Sequence, residues 1–216
     1  MSLRILIADD HDLMRRGLKA LIANHPDWEI CAEAVKGREA VAKAAALRPD
    51  VVILDVCMPE LNGIEATRQI RKATPRTEVL VLSVHHSDHL ILEILDAGAR
   101  GFVLKSDSAT DLVAAIETLA AHKPFFTACA TELLLSAGSE EGAAAAASLP
   151  GDQLTARERE IVQLLAEGKT SKEVACTLNI SAKTAETHRA NIMKKMEFHS
   201  VGQIVRYAVR NQIIEA

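Results

Sequence analysis

The chain has 216 residues, of which 49 % are apolar and 25 % are charged. This composition is typical of a folded globular protein and excludes a disordered chain or a collagen-like fibre, and the length suits two modest domains. No apolar run approaches the roughly 20 residues of a membrane-spanning helix, and the acidic start MSLRILIADD does not fit a signal peptide. The four cysteines form no CxxC pair, which argues against a zinc site or a disulfide framework. We therefore expect a cytoplasmic protein without a membrane segment.

Charge is divided unevenly along the chain. The formal net charge is -4, but residues 1–124 hold 15 Lys and Arg against 18 Asp and Glu, whereas residues 152–216 hold 10 against 8. An acidic first half and a mildly basic second half predict that the two halves bind different partners.

The first half alternates short apolar runs with segments of helical period. The apolar runs lie at 3–8, 51–54, 78–84 and 101–104. A weaker, alternating run at 28–34 is typical of an edge strand. The segments between these runs predict helices near 12–24, 37–47, 63–73, 87–97 and 108–121. Five βα units in a row predict an α/β fold, a doubly wound, flavodoxin-like, five-stranded parallel sheet with helices on both faces.

The region 125–151 interrupts this alternation. It is rich in Ala, Gly, Ser and Glu and ends in Pro-Gly, so it predicts a linker between a first domain, 1–124, and a second, 152–216. The second domain has no strand pattern. Its apolar spacing predicts an all-α unit of four helices, near 156–167, 171–178, 182–196 and 201–212.

Helix-capping residues in the second domain support those boundaries. Three pairs fit a capping box, in which a hydroxyl and a side chain three residues later bond to free backbone N–H groups. They are Thr155 with Glu158, Thr170 with Glu173, and Ser200 with Gln203. Gly168 and Asn179 suit the left-handed conformation that ends a helix.

Polar residues stand at the ends of the predicted strands. Asp9 and Asp10 follow the first strand, Asp55 the third, Ser83 the fourth and Lys105 the fifth. Because the carboxyl ends of parallel strands share one edge of a sheet, we expect these side chains to converge. Three crowded carboxylates repel one another unless a cation balances them, and oxygen ligands suit Mg²⁺. The set predicts a phosphoryl-transfer site with a carboxylate nucleophile.

The motifs that carry these residues resemble the receiver domain of two-component response regulators. They are ADDH at 8–11, LDVCMPELNG at 54–63, LSV at 82–84 and GFVLK at 101–105, and the match covers about the first 120 residues. The resemblance implies that Asp55 is the phosphoacceptor. It also implies that Mg²⁺ is held by Asp9, Asp10, Asp55 and the backbone carbonyl of Cys57.

The same resemblance assigns three more positions. Ser83 would hydrogen-bond the phosphoryl group, and Lys105 would pair with it. Phe102 occupies the aromatic switch position where many receivers have Tyr, so the switch would lack a hydroxyl contact. His11 follows the two acids, and we interpret it as a helix-start residue rather than a metal ligand.

Residues 169–196 read as a helix, a short turn and a second helix, the spacing that lets the second helix enter the major groove of DNA. Ala185, Ile192 and Met196 are expected to pack inward. The motifs LTARERE at 154–160, LLAEGKTSKEVA at 164–175 and ISAKTAETHRANIMKKM at 180–196 closely resemble the LuxR-type helix-turn-helix. The two domains in this order resemble the NarL/FixJ subfamily of response regulators.

The LuxR-type pattern assigns roles on the second helix. Glu186, Thr187 and Ala190 would face base edges. The candidates for phosphate contacts, which position a protein without reading sequence, are Lys172, Lys183, Thr184, His188, Arg189 and Lys194.

The leading hypothesis is a DNA-binding transcriptional response regulator of a two-component phosphorelay. A sensor histidine kinase would phosphorylate Asp55, and the C-terminal domain would then bind double-stranded DNA as a homodimer. Val201, Val205 and Val209 form a stripe on the last helix that fits a dimer contact, although packing into the domain core fits it equally well. Contact with RNA polymerase is a further option for such a regulator.

Two alternatives differ in class. A phosphatase with an aspartyl nucleophile would need a second acid two residues later, where Cys57 stands, so we expect no enzyme. A phosphorylation-independent DNA-binding regulator would use the receiver for protein contacts alone. A missing acid or lysine would favour that alternative, but all five site residues are present.

Overall fold

A six-stranded parallel sheet organises the first part of the chain in the computed structural model, which describes residues 2–84, 87–126 and 154–215. The strands are β1 (Leu3–Ala8), β2 (Trp28–Ala34), β3 (Val51–Asp55), β4 (Glu78–Ser83), β5 (Gly101–Leu104) and β6 (Phe125–Phe126). Their order is β2-β1-β3-β4-β5-β6, so β2 lies at one edge, as its alternating pattern predicts. The direction of strand order changes between β1 and β3, which confirms the flavodoxin-like arrangement.

The sixth strand differs from the predicted five-stranded sheet. Phe125 and Phe126 pair with Gly101 and Phe102 of β5, although the sequence pattern places them in the linker 125–151. Two residues are too few to show the alternation that identifies a strand. The remainder of the predicted linker lies outside the described residues.

Helices cover both faces of the sheet. They are α1 (Asp12–Ala23), α2 (Gly37–Leu47), α3 (Gly63–Ala73), α4 (Asp88–Asp96) and α5 (Ala109–Ala120). Ile5 and Ile53 pack with α1 and α5 on one face, while Leu6 and Leu54 pack with α2, α3 and α4 on the other. Successive side chains of a strand point to opposite faces, so a strand buried on both faces is apolar throughout.

Four helices form the second part of the chain. They are α6 (Ala156–Ala166), α7 (Ser171–Thr177), α8 (Ala182–Lys195) and α9 (Val201–Arg210). Each begins at the predicted residue and ends one or two residues earlier than predicted. The left-handed positions are confirmed, because Gly168 has a φ of +82° and Asn179 a φ of +51°.

Two of the three predicted capping boxes are present. Thr155 with Glu158 and Thr170 with Glu173 make both reciprocal bonds. The prediction at Ser200 is wrong, since its side chain makes no capping bond. The side chain of Gln203 accepts a hydrogen bond from the backbone N–H of His199 instead.

The helical domain has a small core of its own, which includes Ile161, Leu164, Ile192, Ile204 and Ala208. None of the helices in the described part of the chain is long and apolar enough to span a membrane.

A polar contact joins the two domains. Glu160 of α6 is buried and accepts hydrogen bonds of 2.8 Å from Arg38 and Gln69 of the first domain and from Arg157 of its own domain. A contact made of such bonds can be exchanged for water at much lower cost than an apolar core.

Candidate functional site

Strand register brings the predicted acidic site together. Ala8 pairs with Leu54, so Asp9 and Asp55 follow side by side at the ends of β1 and β3. Ser83 ends β4 and pairs with Leu104, which places Lys105 one residue beyond the end of β5. Parallel pairing alone thus carries these side chains to one edge of the sheet.

A glycine lets α3 start directly beside this edge. The N–H of Gly63 donates a 2.7 Å hydrogen bond to the carbonyl of Val56. A Cβ atom at this position would overlap the carbonyl oxygen of Asp55. Any larger residue would therefore displace the strand end that holds Asp55.

One ammonium lies between two buried carboxylates. Lys105 Nζ is 2.9 Å from Asp9 Oδ2 and 3.0 Å from Asp55 Oδ1. Asp9 is 0 % exposed and Asp55 is 2 % exposed. Burial lowers the pKa of Lys105, but the two carboxylates outweigh burial and raise it, so the lysine stays charged. The pair of acids still exceeds the single cation by one negative charge.

This excess of negative charge affects the ionisation of Asp55. Burial and the nearby Asp9 carboxylate raise the pKa of Asp55 to about 7, against the opposing effect of Lys105. Its Oδ2 atom is buried without a hydrogen-bond partner in the described residues. An unpaired buried carboxylate oxygen is costly, so the site favours a further cation or a covalent bond at this atom.

The acids lie close enough together to share a metal ion. One ligand atom from each of Asp9, Asp10, His11 and Asp55 lies within 4.8 Å of the others. The oxygen atoms suit a hard cation such as Mg²⁺, and the unpaired Asp55 oxygen fits this use.

His11 belongs to this cluster, which the sequence reasoning missed. It precedes α1 as the N-cap residue, as predicted, but its side chain makes no capping bond. Its Nδ1 atom lies 3.2 Å from Asp9 Oδ1 and 3.0 Å from Asp10 Oδ1. The direct succession of His11 after the two acids was the available signal.

The remaining predicted receiver residues surround the acids. Ser83 is buried and lines, with Asp55 and Cys57, a cavity of about 440 Å³. Phe102 is 1 % exposed and packs into the core beside α4. Burial, together with the charge of Asp55, raises the pKa of Cys57 to about 12, so this thiol stays neutral beside the acids.

The far end of the chain lines the same cavity, which the sequence did not predict. Val209, Gln212, Ile214 and Glu215 face it from the helical domain. No local pattern connects the end of the last helix with the tip of β3.

The second predicted site lies on α8. Ala185 and Ile192 are buried and Met196 packs against the same cluster, which confirms the predicted inward face. Ser181 caps the helix by accepting a 3.0 Å hydrogen bond from the N–H of Thr184. The predicted base-facing residues are exposed, namely Glu186, Thr187 and Ala190.

The predicted phosphate contacts surround that face. Lys172, Lys183, Thr184 and Lys194 are exposed, while His188 and Arg189 are half-buried. The hydroxyl of Thr187 donates a 2.9 Å hydrogen bond to the carbonyl of Lys183, so toward a ligand it can act as an acceptor. A basic, exposed helix face of this kind suits a phosphate backbone.

Comparison with known families identifies both domains. The family described as response regulator receiver domain matches residues 5–117, and the luxR family of bacterial regulatory proteins matches residues 152–208. The transcriptional regulatory protein LiaR of Bacillus subtilis is 36 % identical over 212 residues, which cover 98 % of this chain and 99 % of LiaR. The response regulator protein VraR of Staphylococcus aureus is 34 % identical over 215 residues, which cover 100 % of both chains.

A solved structure shows the same two-domain fold. RcsB from Salmonella enterica serovar Typhimurium, bound to the promoter rprA in the presence of the phosphomimetic BeF3⁻, matches with a TM-score of 0.63 and 25 % identity. The match covers 96 % of this chain and 98 % of RcsB.

Proposed function

The chain belongs to the two-component response regulators that join a receiver domain to a LuxR-type DNA-binding domain, and on that premise we propose that phosphorylation of Asp55 switches it. As a member of this family it is a DNA-binding transcriptional regulator. The observation that carries the proposal is the buried Asp55, which contacts Lys105 and has one oxygen without a partner. A carboxylate oxygen of Asp55 is the nucleophile.

The reaction is a phosphoryl transfer. The Asp55 oxygen attacks the phosphorus of a phosphohistidine on a sensor histidine kinase, the P–N bond breaks, and its electron pair stays on the ring nitrogen. Lys105 and the hydroxyl of Ser83 then donate hydrogen bonds to the phosphoryl oxygens. Mg²⁺, held by Asp9, Asp10, Asp55 and the carbonyl of Cys57, supplies further positive charge when it is bound.

The new charge is proposed to act through Ser83 and Phe102. A phosphoryl group that bonds to Ser83 pulls the end of β4 toward Asp55, and Phe102 on the neighbouring strand β5 repacks in response. Val81 of β4 pairs with Phe102, so the two movements are mechanically connected. This shifts the population of receiver conformations rather than creating a new fold.

The output is proposed to be a homodimer on DNA. Ile204 and Ala208 of α9 fill the domain core, whereas Val201 is 40 % exposed and Val205 and Val209 are only partly buried. This division supports the valine stripe as a dimer contact rather than as core. Two copies would each place one α8 in the major groove of paired half-sites.

Promoter DNA is the proposed partner of α8, as it is of RcsB in the solved complex. Glu186, Thr187 and Ala190 would read bases, and the six surrounding residues would hold phosphates. The proposal places the protein in the cytoplasm, where RNA polymerase is a further partner at the promoter.

The test is phosphorylation of the full-length protein with Mg²⁺ and acetyl phosphate. The wild type should incorporate one phosphoryl group and bind promoter DNA more tightly, while Asp55→Asn should do neither. Asp27→Asn, an exposed aspartate outside the site, is the matched control and should behave as the wild type. Labelling of Asp55→Asn at the wild-type level would overturn the assignment. Unchanged DNA affinity after confirmed phosphorylation would favour the phosphorylation-independent regulator.

A further inference from the structure

The backbone of His11 is fixed beside the acidic site where β1 leads into α1. Its N–H donates a 2.8 Å hydrogen bond to Asp9 Oδ1, and its carbonyl accepts a 3.1 Å hydrogen bond from the N–H of Arg15. The guanidinium of Arg15 donates a further 3.0 Å hydrogen bond to the carbonyl of Asp9. This short connection is therefore held from both sides, and a ring carried on it has a defined position.

The imidazole ring of His11 uses that position to contact carboxylates. Its Nδ1 atom lies 3.2 Å from Asp9 Oδ1 and 3.0 Å from Asp10 Oδ1. The side chain makes no capping bond to α1, although His11 is the N-cap residue. The start of the helix therefore does not explain why the ring points to the acids.

The other ring nitrogen of His11 faces a different carboxylate. Nε2 lies 4.0 Å from Glu215 Oε2, which is longer than a hydrogen bond but within the range of an ion pair. A metal-bound histidine usually presents its second ring nitrogen to a carboxylate, a carbonyl or water, which fixes the tautomer and the orientation of the ring. With the hydrogen on Nε2, the lone pair of Nδ1 is directed to the acids.

An unpaired atom beside the ring indicates a ligand independently of the acidic cluster. Asp55 is 2 % exposed, and its Oδ2 has no hydrogen-bond partner in the described residues. His11 and Asp55 line the same cavity of about 440 Å³, and the His11 side chain is 50 % exposed. A cation can therefore reach both the nitrogen and the unpaired oxygen through this cavity.

The nitrogen atom changes which cation the site prefers. Mg²⁺ binds oxygen ligands and water, so three carboxylates without a histidine suit it. Imidazole is a ligand of first-row transition metals, whose affinity for nitrogen exceeds that of Mg²⁺. One ligand atom from each of Asp9, Asp10, His11 and Asp55 lies within 4.8 Å of the others, so the four can share one ion.

We propose that His11 is a metal ligand through Nδ1, and that it makes the site prefer a divalent transition-metal ion, such as Mn²⁺, to Mg²⁺. The lone pair of Nδ1 binds the ion, while Nε2 carries the hydrogen. The inference rests on the proposed function for the role of the three acids in holding a metal ion. It adds to that role a nitrogen ligand and a metal preference.

The first test detects the bond between metal and nitrogen directly. Electron spin-echo envelope modulation of the full-length wild type with Mn²⁺ should show coupling of the ion to a nitrogen nucleus. His11→Gln, which keeps a polar side chain, should lose this coupling. His199→Ala, which removes an exposed histidine of the helical domain, is the control and should keep it. No nitrogen coupling in the wild type, or coupling that persists in His11→Gln, would refute the proposal.

The second test measures metal preference. Mn²⁺ affinity is obtained from the electron paramagnetic resonance signal of the free ion, and Mg²⁺ affinity from competition with Mn²⁺. His11→Ala should weaken Mn²⁺ binding about tenfold and Mg²⁺ binding less than about twofold. Because the side chain makes no capping bond, this variant leaves the start of α1 intact. An equal loss for both ions would overturn the assigned preference.

Asp10→Asn separates this inference from the proposed function. If that variant binds Mn²⁺ as tightly as the wild type, the acids do not hold the metal, and the metal site of the proposed function fails. If Asp10→Asn loses Mn²⁺ while both His11 variants bind it like the wild type, the proposed site stands. Only the role of His11 is then refuted.

Discussion

Folding shifts the pKa of a carboxyl group upward at Asp55 in the receiver and downward at Glu173 in the DNA-binding domain. The receiver buries Asp9 and Asp55 around Lys105, and desolvation with mutual repulsion raises the pKa of Asp55 to about 7. In the helical domain, the backbone N–H and hydroxyl of Thr170 lower the pKa of Glu173. Ionised Asp55 therefore opposes folding of the first domain, whereas ionised Glu173 favours folding of the second.

This difference reflects what each domain does with charge. A site that accepts a phosphoryl group needs buried charges that are incompletely paired, because the reaction and its cation complete the pairing. A helix face that binds DNA needs exposed charges, while Glu158 and Glu173 of the same domain lie on other helices, where they stabilise the helix starts. The stability that the receiver loses at Asp55 is the cost of keeping the site reactive.

The largest expected effect comes from removing the buried charge. Asp55→Asn should raise the free energy of unfolding of the receiver in Mg²⁺-free buffer, on the order of 1–4 kcal/mol, because a neutral amide no longer repels Asp9. Trp28, the one tryptophan, reports receiver unfolding in urea. Asp27→Asn, at an exposed position, should change nothing measurable. Destabilisation by Asp55→Asn would contradict the contrast between the domains.

Neutralising a carboxylate should have the opposite effect on the free energy of unfolding in the helical domain. Burial acts to raise the pKa of Glu158, but the Lys195 ammonium and the Thr155 N–H outweigh it and lower the pKa below 4.5. A depressed folded-state pKa means that the ionised group stabilises the fold above about pH 4.5 and loses this effect as pH falls through the folded value. Glu158→Gln should lower stability at neutral pH by less than about 1 kcal/mol.

The contribution of Glu158 to stability can be measured more directly through its pH dependence. Hydrogen exchange of the α6 amides should rise on acidification below pH 4.5 in the wild type, and less in Glu158→Gln, which cannot titrate at this position. A variant as acid-sensitive as the wild type would show that other groups control the acid response of this domain.

The smallest effect on stability is expected on the DNA-reading face. Lys183→Ala removes an exposed charge, so stability should change by less than about 0.5 kcal/mol. Affinity for DNA should fall on every sequence, and the slope of log affinity against log salt should decrease by about one. A change in sequence preference without a change in slope would mean that Lys183 reads bases instead.

Features that depend on neighbouring residues were predicted correctly, whereas features that depend on side-chain choice or on distant residues were not. All four helix starts in the DNA-binding domain were predicted to the residue, because capping boxes and apolar spacing act within one or two turns. The missing cap at Ser200 depends on which neighbour the Gln203 side chain bonds. The pairing of Phe125 and Phe126 depends on β5, more than 20 residues away.

The sequence by itself determined the order of strands and helices, the division into two domains and the motifs at 8–11, 54–63, 82–84 and 101–105 that bring Asp55 to the sheet edge. Each of these follows from residue type and spacing along the chain. Only the tertiary structure decided the unpaired oxygen of Asp55, the contact of His11 with the acids, and the position of Gln163 and of the end of the chain beside this site. The physical reason is that charge repulsion, desolvation and domain docking depend on distance through space, which no local pattern records.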